Sequence, residues 1–341
     1  VEFGHSVTLD DEALDSRAVE LPYGLTLYKN DPGAWGASLL NNAELMVALL
    51  DAAQARSVME IGAYAGDFTE LLLRWAEPTR ARIIAVDPSP QPELEALAAE
   101  HDELELVRET SLAMLPTADP VDAVVIDGDH NHYTVTAELS AIAGQPHPAH
   151  GPLIILHDCN WPHARRDDYY DPEQIPVQAR HPVHHGGGLY PGVPGIRPGG
   201  MPYRWPAAQE GGPRNGVLTA VEDHVAEHPE LRLAVLPTFY GVGVVWDRGA
   251  PYADALEQVV APWEDNPLLQ RLERNRVLHL ASSQVQLAMA RDAQAKLARI
   301  EPLLDAMLSS RAFWAAEMFL RVRQKGKPAF SRRAVRDARR P

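Results

Sequence analysis

A single cysteine, Cys159, stands among 341 residues, so no internal disulfide can form and a reducing compartment is the expected setting. No apolar run approaches the roughly 18 residues that a membrane-spanning helix needs. Basic charge is scarce as well. Thirty-one Lys and Arg face 47 Asp and Glu, a net charge of −16. A duplex nucleic-acid binder needs a basic face to neutralise phosphates, so that class of partner is not expected. The first residues lack the charged-then-apolar layout of a secretory signal, and a cytoplasmic location is expected. The G-x-G-x-x-G dinucleotide fingerprint is missing too. Core material is present: 45% hydrophobic and 23% charged residues are ordinary for a globular protein. A chain of this length can bury a substantial interior, with a prior of about two domains.

From Val58 to Asp247 short β-rich runs alternate with helical stretches, the pattern of a parallel sheet flanked by helices. Strands are expected at Ser57–Ile61, Arg82–Asp87, Leu104–Arg108, Ala123–Asp127, Leu153–His157, Leu231–Pro237 and Gly241–Asp247. Helices fit between them at Asp67–Ala76, Pro92–His101, Val135–Ala143 and Gly216–His228, and another precedes them from Leu39 to Ala53. Only Thr238–Tyr240 separates the last two strands, too little for a crossover, so they form an antiparallel hairpin. The expected fold is α/β: a doubly wound, seven-stranded, mostly parallel sheet closed by that hairpin. The expected organisation is an N-terminal helical cap over 1–56, a main domain over 57–249, a helical extension over 250–324 and a basic tail over 325–341.

A long insertion, His157–Asn215, interrupts the main domain. About half of its second part, His181–Gly216, is Gly and Pro, far above ordinary composition. Loops of this length inside a domain are usually lids or linkers. The interleaved Trp161, Tyr169, Tyr170, Tyr190, Tyr203 and Trp205 argue for a lid, because disordered linkers are poor in aromatics. Beyond it, Asn266-Pro267 starts a helix that is expected to run to Ile300, with Pro302 starting a second. The apolar positions Leu268, Leu272, Leu280, Leu287, Leu297 and Leu304 suggest an arm through which the chain forms a homo-oligomer. Residues 321–341 hold nine Lys or Arg and one Asp, read as a solvated tail or a contact for an anionic partner.

The chemistry-bearing residues cluster where strands end. The first strand runs into Glu60-Ile-Gly62-Ala63-Tyr64-Ala-Gly66-Asp67. A glycine-rich turn between strand and helix lets a ligand approach the backbone with the helix N-terminus behind it. Glu60 beside that turn disfavours an anion and suits a ligand carrying a sulfonium and an amino group. Asp87 ends the second strand, where an acidic side chain takes both ribose hydroxyls of a nucleoside or caps a helix. Small polar residues, Thr110 and Ser111, follow the third strand. Asp127, Asp129 and His130 follow the fourth, and His157 and Asp158 the fifth. All lie on the carboxyl edge, where such sheets bind ligands.

Together these residues resemble the class I S-adenosylmethionine-dependent methyltransferases, over Val58–Asp247. Within that class Ile126–His130 and Leu156–Asp158 resemble a small family of sugar and natural-product O-methyltransferases with macrocin-type, metal-dependent relatives. The resemblance implies that Glu60, Gly62, Ala63, Tyr64 and Gly66 line the methionine end of the cofactor. It puts the ribose on Asp87, the adenine near Ser111 and Asp127 beside the cofactor. It also implies a divalent metal, magnesium or manganese, on Asp127 and Asp158. His157 departs from the pattern, standing where an acidic ligand is usual, and is expected to join Asp127 and Asp158 as a third metal ligand. His130 is the expected base, with His157 and Asp158 completing the catalytic group, because a His near pKa 6.5 accepts a proton at neutral pH. Trp161 with the Arg165-Arg166 and Tyr169-Tyr170 pairs is expected to hold a small-molecule or glycan acceptor. The alternatives are an amino-sugar N-methyltransferase without metal, a nucleotide-dependent sugar-modifying enzyme, and a non-catalytic scaffold built on the helical arm.

Overall fold

A computed structural model describes residues 21–25, 38–147, 150–323 and 331. Most of the expected N-terminal cap, and the basic tail apart from Ser331, lie outside these residues. The chain divides into two compact units, residues 11–282 and residues 283–341 with 1–10.

The first unit is built on a seven-stranded sheet. Its strands are β1 (Ser57–Ile61), β2 (Arg82–Val86), β3 (Leu104–Val107), β4 (Ala123–Ile126), β5 (Leu153–Leu156), β9 (Leu231–Leu236) and β10 (Val242–Asp247). They lie in the order β3-β2-β1-β4-β5-β10-β9. The first five are parallel, and β10 runs antiparallel to both β5 and β9. Helices cover both faces, so β4 and β5 are apolar and buried throughout, as strands covered on both sides must be. On one face Val58, Ile83, Ala85, Val125 and Ile155 pack against helices Ala43–Ala52, Asp67–Ala76 and Ala253–Val260. On the other, Met59, Ile84, Val124, Ile126 and Ile154 pack against helices His132–Ala143 and Val217–Glu227. The strand alternation of period two thus builds two cores on one sheet.

Register sets the site. Ile61 pairs with Val86 and with Ile126, and Ile126 pairs with Leu156. The ladder continues one residue further, through Gly62 N to Val86 O, Asp127 N to Ile61 O and His157 N to Ile126 O at 2.9, 2.9 and 3.0 Å. Gly62, Asp87, Asp127 and His157 therefore leave the sheet in one row, at the point where the chain reverses its direction of winding.

The insertion folds into a second sheet that sequence reading leaves as loop. Strands β6 (Gly188–Tyr190), β7 (Val193–Arg197) and β8 (Met201–Pro202) pair antiparallel in the order β7-β6-β8. Glycine and proline disguise these strands, since neither residue type carries β-propensity.

The long helix Pro267–Ser309 runs through Pro302 instead of restarting there. The break falls at Ser310, whose Oγ accepts the Phe313 amide at 3.1 Å and caps helix Arg311–Arg323. Proline forfeits one backbone bond, whereas a serine cap favours a new start. The leucine stripe is also oriented differently: Leu268, Leu272, Leu287 and Leu297 are exposed, and Glu273, Val277 and Ala281 are buried, four residues apart. Among the described residues no helix is long and apolar enough to cross a membrane.

Candidate active site

The loop after β1 is shaped by its own chain. Gly62 has φ +89°, and a Cβ there would lie 2.3 Å from the Asp127 carbonyl oxygen. The glycine is required because the β4 loop packs against it, a closer constraint than ligand access. Gly66, at φ +85°, is the N-cap of helix Asp67–Ala76, and Ala63 is buried between them. Beneath the loop Glu60 is buried, its Oε2 accepting from Thr69 Oγ1 at 2.6 Å. Burial pushes its carboxyl up to about 8 despite that bond, helped by the carboxylates of Asp127, Asp67 and Asp87.

Asp87 is held by backbone. Its Oδ2 accepts the Tyr64 amide at 2.8 Å and its Oδ1 the Ser89 amide at 2.7 Å. Each oxygen keeps a lone pair for a further donor. A cleft of about 750 Å³ begins here, lined by Gly62, Tyr64, Asp87, Ser111, Asp127 and His130. That volume is in the range of cofactor sites. Its far end carries a residue that sequence reading missed: Glu138, fully buried, accepts from Ser111 Oγ at 2.5 Å. The signal was present in the sequence, since Glu138 interrupts the apolar stripe of Val135, Leu139 and Ile142.

At the strand ends of β4 and β5 four ionisable groups meet. His157 Nδ1 lies 3.1 Å from Asp127 Oδ1 and 3.5 Å from Asp158 Oδ2, and its Nε2 donates to the Phe239 carbonyl at 2.7 Å. Burial alone would lower the His157 pKa, but the two carboxylates and the Phe239 bond outweigh it and raise it to about 10. Phe239 belongs to the β9–β10 turn, where Phe239, Tyr240 and Gly241 have φ of 41°, 70° and 89°. The Tyr240 amide donates to Glu273 Oε1 at 2.8 Å, so the start of the long helix secures that turn. His130 Nδ1 lies 3.1 Å from Asp158 Oδ2. Its ring stacks on His163 with centroids 4.9 Å apart. Burial opposes the charged form of His130, yet Asp158, Asp127 and Asp168 raise its pKa overall. Asp158, raised by burial, is held below the usual range by His130 and His157. His163 stays neutral, its pKa lowered to about 3 by burial.

The donor set fits a divalent cation. One atom from each of Asp127, His157 and Asp158 lies within 4.8 Å of the others. His157 donates its other nitrogen to a backbone carbonyl, as metal-bound histidines do. The same geometry accommodates a proton on Nδ1, and His157 then carries the positive charge that separates the two carboxylates.

The insertion places its predicted residues in different surroundings. Arg166 is fully buried, donating to the carbonyls of Ala207 and Pro194. Tyr169 is buried, its hydroxyl donating to Asp167 at 2.8 Å. Arg165 forks onto Glu222 of helix Val217–Glu227. Trp161 is half-buried. These four are not in the lining of the cleft, whereas Tyr170, 64% exposed, is part of it together with Asp171, Gln174 and Ile175. Asp129 fixes this wall, accepting the Tyr170 amide at 2.9 Å and the Thr134 hydroxyl at 3.0 Å.

Residues 59–159, from β1 through the end of β5, match a family model described as a methyltransferase domain. No curated protein matches the chain. Among solved structures, a methyltransferase of Podospora anserina crystallised with S-adenosylhomocysteine is 18% identical. It aligns over 70% of this chain and 86% of its own at a TM-score of 0.41. A methyltransferase of Geobacter sulfurreducens is 11% identical over 62% of this chain and 81% of its own, at 0.36. The family match falls on the segment that forms the glycine loop, the Asp87 strand end and the Asp127–His130 turn, so this part of the chain is similar to a methyltransferase domain.

Proposed function

We propose that this chain is an O-methyltransferase acting on a hydroxyl of a sugar or a glycosylated natural product, with His130 as the base. The observation that carries the reading is the His130–Asp158 pair at the mouth of the cofactor cleft. Bound S-adenosylmethionine supplies an electrophilic methyl on a sulfonium. Asp87 takes the ribose hydroxyls on its free lone pairs, and Glu60, tied to Thr69, supports the glycine loop at the methionine end. His130 donates Nδ1–H to Asp158, which leaves Nε2 to accept the acceptor's hydroxyl proton as the oxygen attacks the methyl in line. Positioning of this kind contributes on the order of 7–11 kcal/mol. Asp127, His157 and Asp158 would hold a divalent metal, magnesium or manganese, that lowers the hydroxyl pKa. A net charge of −16 suits a neutral or cationic acceptor. The exposed apolar residues of the arm, Leu287, Leu297, Ile300 and Leu303 among them, suit a homo-oligomer, which light scattering would detect.

The test is incubation with labelled S-adenosylmethionine and a matched panel of glycosides, amino sugars and aglycones, read by mass spectrometry. O-methylated glycosides are expected. Transfer to amines alone overturns the hydroxyl assignment, and full turnover after exhaustive chelation overturns the metal.

A further inference from the structure

Helix Arg311–Arg323, in the second compact unit, presents apolar side chains on two opposite sides. Phe313, Glu317 and Leu320 follow one another at helical spacing and are buried or half-buried. The opposite side carries Trp314, Met318, Phe319 and Val322, which are between 44% and 78% exposed. Trp314, Met318 and Val322 recur every fourth residue with Phe319 beside them, so the four form one face. The helix contains one acid, Glu317, and that acid is buried, whereas Arg311 and Arg323 are exposed. A helix facing water normally turns polar residues outward. A contiguous set of large exposed apolar groups marks a surface that another apolar phase covers. The same end of the sequence is basic: residues 321–341 hold nine Lys or Arg against one Asp, in a chain of net charge −16.

We infer that this helix docks the protein on an anionic lipid surface, with Trp314, Met318, Phe319 and Val322 inserted among the headgroups and the basic residues on the lipid phosphates. No helix among the described residues is long and apolar enough to cross the bilayer, so this one lies along its surface. Aromatic and aliphatic side chains on one face with arginine around them make up an interfacial helix, and tryptophan settles at the headgroup level. A short apolar face alone holds a protein weakly, and an adjoining basic segment supplies the second signal that stable attachment needs. A second copy of the chain fits the face less well, because pairing two such helices brings two strongly basic segments together. A nucleic acid would engage the charge and leave the apolar face uncovered. The inference uses no residue of the cleft and stands apart from the methyl-transfer reading.

The experiment is co-sedimentation of the full chain with vesicles of phosphatidylcholine alone and of phosphatidylcholine with an equal part of phosphatidylglycerol. Binding at least about tenfold tighter to the mixed vesicles is expected, and it should weaken as salt is added. Trp314→Ser combined with Phe319→Ser alters two exposed positions and leaves the core untouched. That pair is expected to lower the affinity at least about tenfold with an unchanged melting temperature. Lys325→Gln combined with Lys327→Gln is expected to lower it by about tenfold or more, since each basic residue near such a surface contributes roughly fivefold. Brominated lipid is expected to quench tryptophan emission in the wild type and to quench it less in Trp314→Phe, which separates insertion from adsorption by charge. Equal affinity for the two vesicle types, no binding to either, or an unchanged affinity in either paired variant overturns the inference. Quenching that Trp314→Phe leaves as it was also overturns it. A dimer seen by light scattering that Trp314→Ser with Phe319→Ser dissociates, without vesicle binding, gives the face to a second copy and overturns it too.

Discussion

Two residues carry the sharpest consequences of the site. His130 accepts a proton only as the neutral ring, and the surrounding carboxylates raise its pKa above the ordinary 6.5. Activity is therefore expected to rise with pH through a value higher than that of a free histidine. His130→Gln is expected to lower kcat by about 10²–10⁴-fold, the usual contribution of a positioned base. A kcat/KM profile that is flat from pH 6 to 9, or a fully active variant, removes His130 from the mechanism. Asp87 is tested by binding. Asp87→Ala removes a charge-assisted acceptor, with an expected cost of about 1.5–3 kcal/mol, or roughly ten- to hundredfold in affinity for S-adenosylhomocysteine. Unchanged affinity in a folded variant contradicts the ribose assignment. Gly62 does not offer an equivalent test, because a Cβ there collides with the Asp127 backbone and compromises the loop before any ligand binds.

Among the elements, the insertion depends on one buried carboxylate. Asp167 Oδ1 accepts the amides of His132 and Gly216 at 2.8 and 2.7 Å, and Oδ2 accepts the Tyr169 hydroxyl. It joins the first residue of one helix to the turn before another and to the insertion between them. Asp167→Ala leaves these donors without an acceptor, and each orphaned buried group costs about 1–3 kcal/mol. A clear fall in the denaturation midpoint is expected, with a smaller fall for Asp167→Asn, which keeps one acceptor. An unchanged midpoint for Asp167→Ala would show that the insertion does not depend on this residue. The same wiring bears on the lid. Excising Val183–Arg214 would strip buried Arg166 of the Ala207 and Pro194 carbonyls, so substitutions at exposed Tyr170 and half-buried Asp171 probe cover over the cleft more cleanly.

For the whole molecule, the buried titratable groups set the dependence of stability on pH. Glu60, raised to about 8 in the fold, stays protonated where the unfolded chain has ionised near 4.5. The folded state then binds more protons, and stability falls as pH rises between those values. Glu138, also raised to about 8, acts in the same direction. His157, raised to about 10, contributes stability below 6.5 that is lost as pH rises through about 10. The ligand-free, metal-free protein is therefore expected to melt at progressively lower temperature as pH rises from about 5 to 10. Glu60→Gln is expected to flatten the lower part of that slope. A melting temperature that climbs through this range contradicts the burial of these charges.

The sequence by itself determined the sheet and its edge. Strand and helix limits come from local periodicity and breakers, and the seven main strands lie within one residue of where that pattern puts them. The alternation of strands and helices, ending in a link too short for a crossover, also fixes which strand ends carry Gly62, Asp87, Asp127 and His157. Tertiary structure alone decided what those side chains do. His157 meets the Phe239 carbonyl across 82 residues and Asp127 across 30. Arg166 and Tyr169, which look outward-facing in sequence, are drawn inside by partners on the insertion's own backbone and by Asp167. Glu138 is hidden in an apolar stripe until Ser111 is brought against it from 27 residues away. Burial and partner choice depend on non-local contacts, so local pattern reveals the frame of this site while only the packed chain assigns its charges and hydrogen bonds.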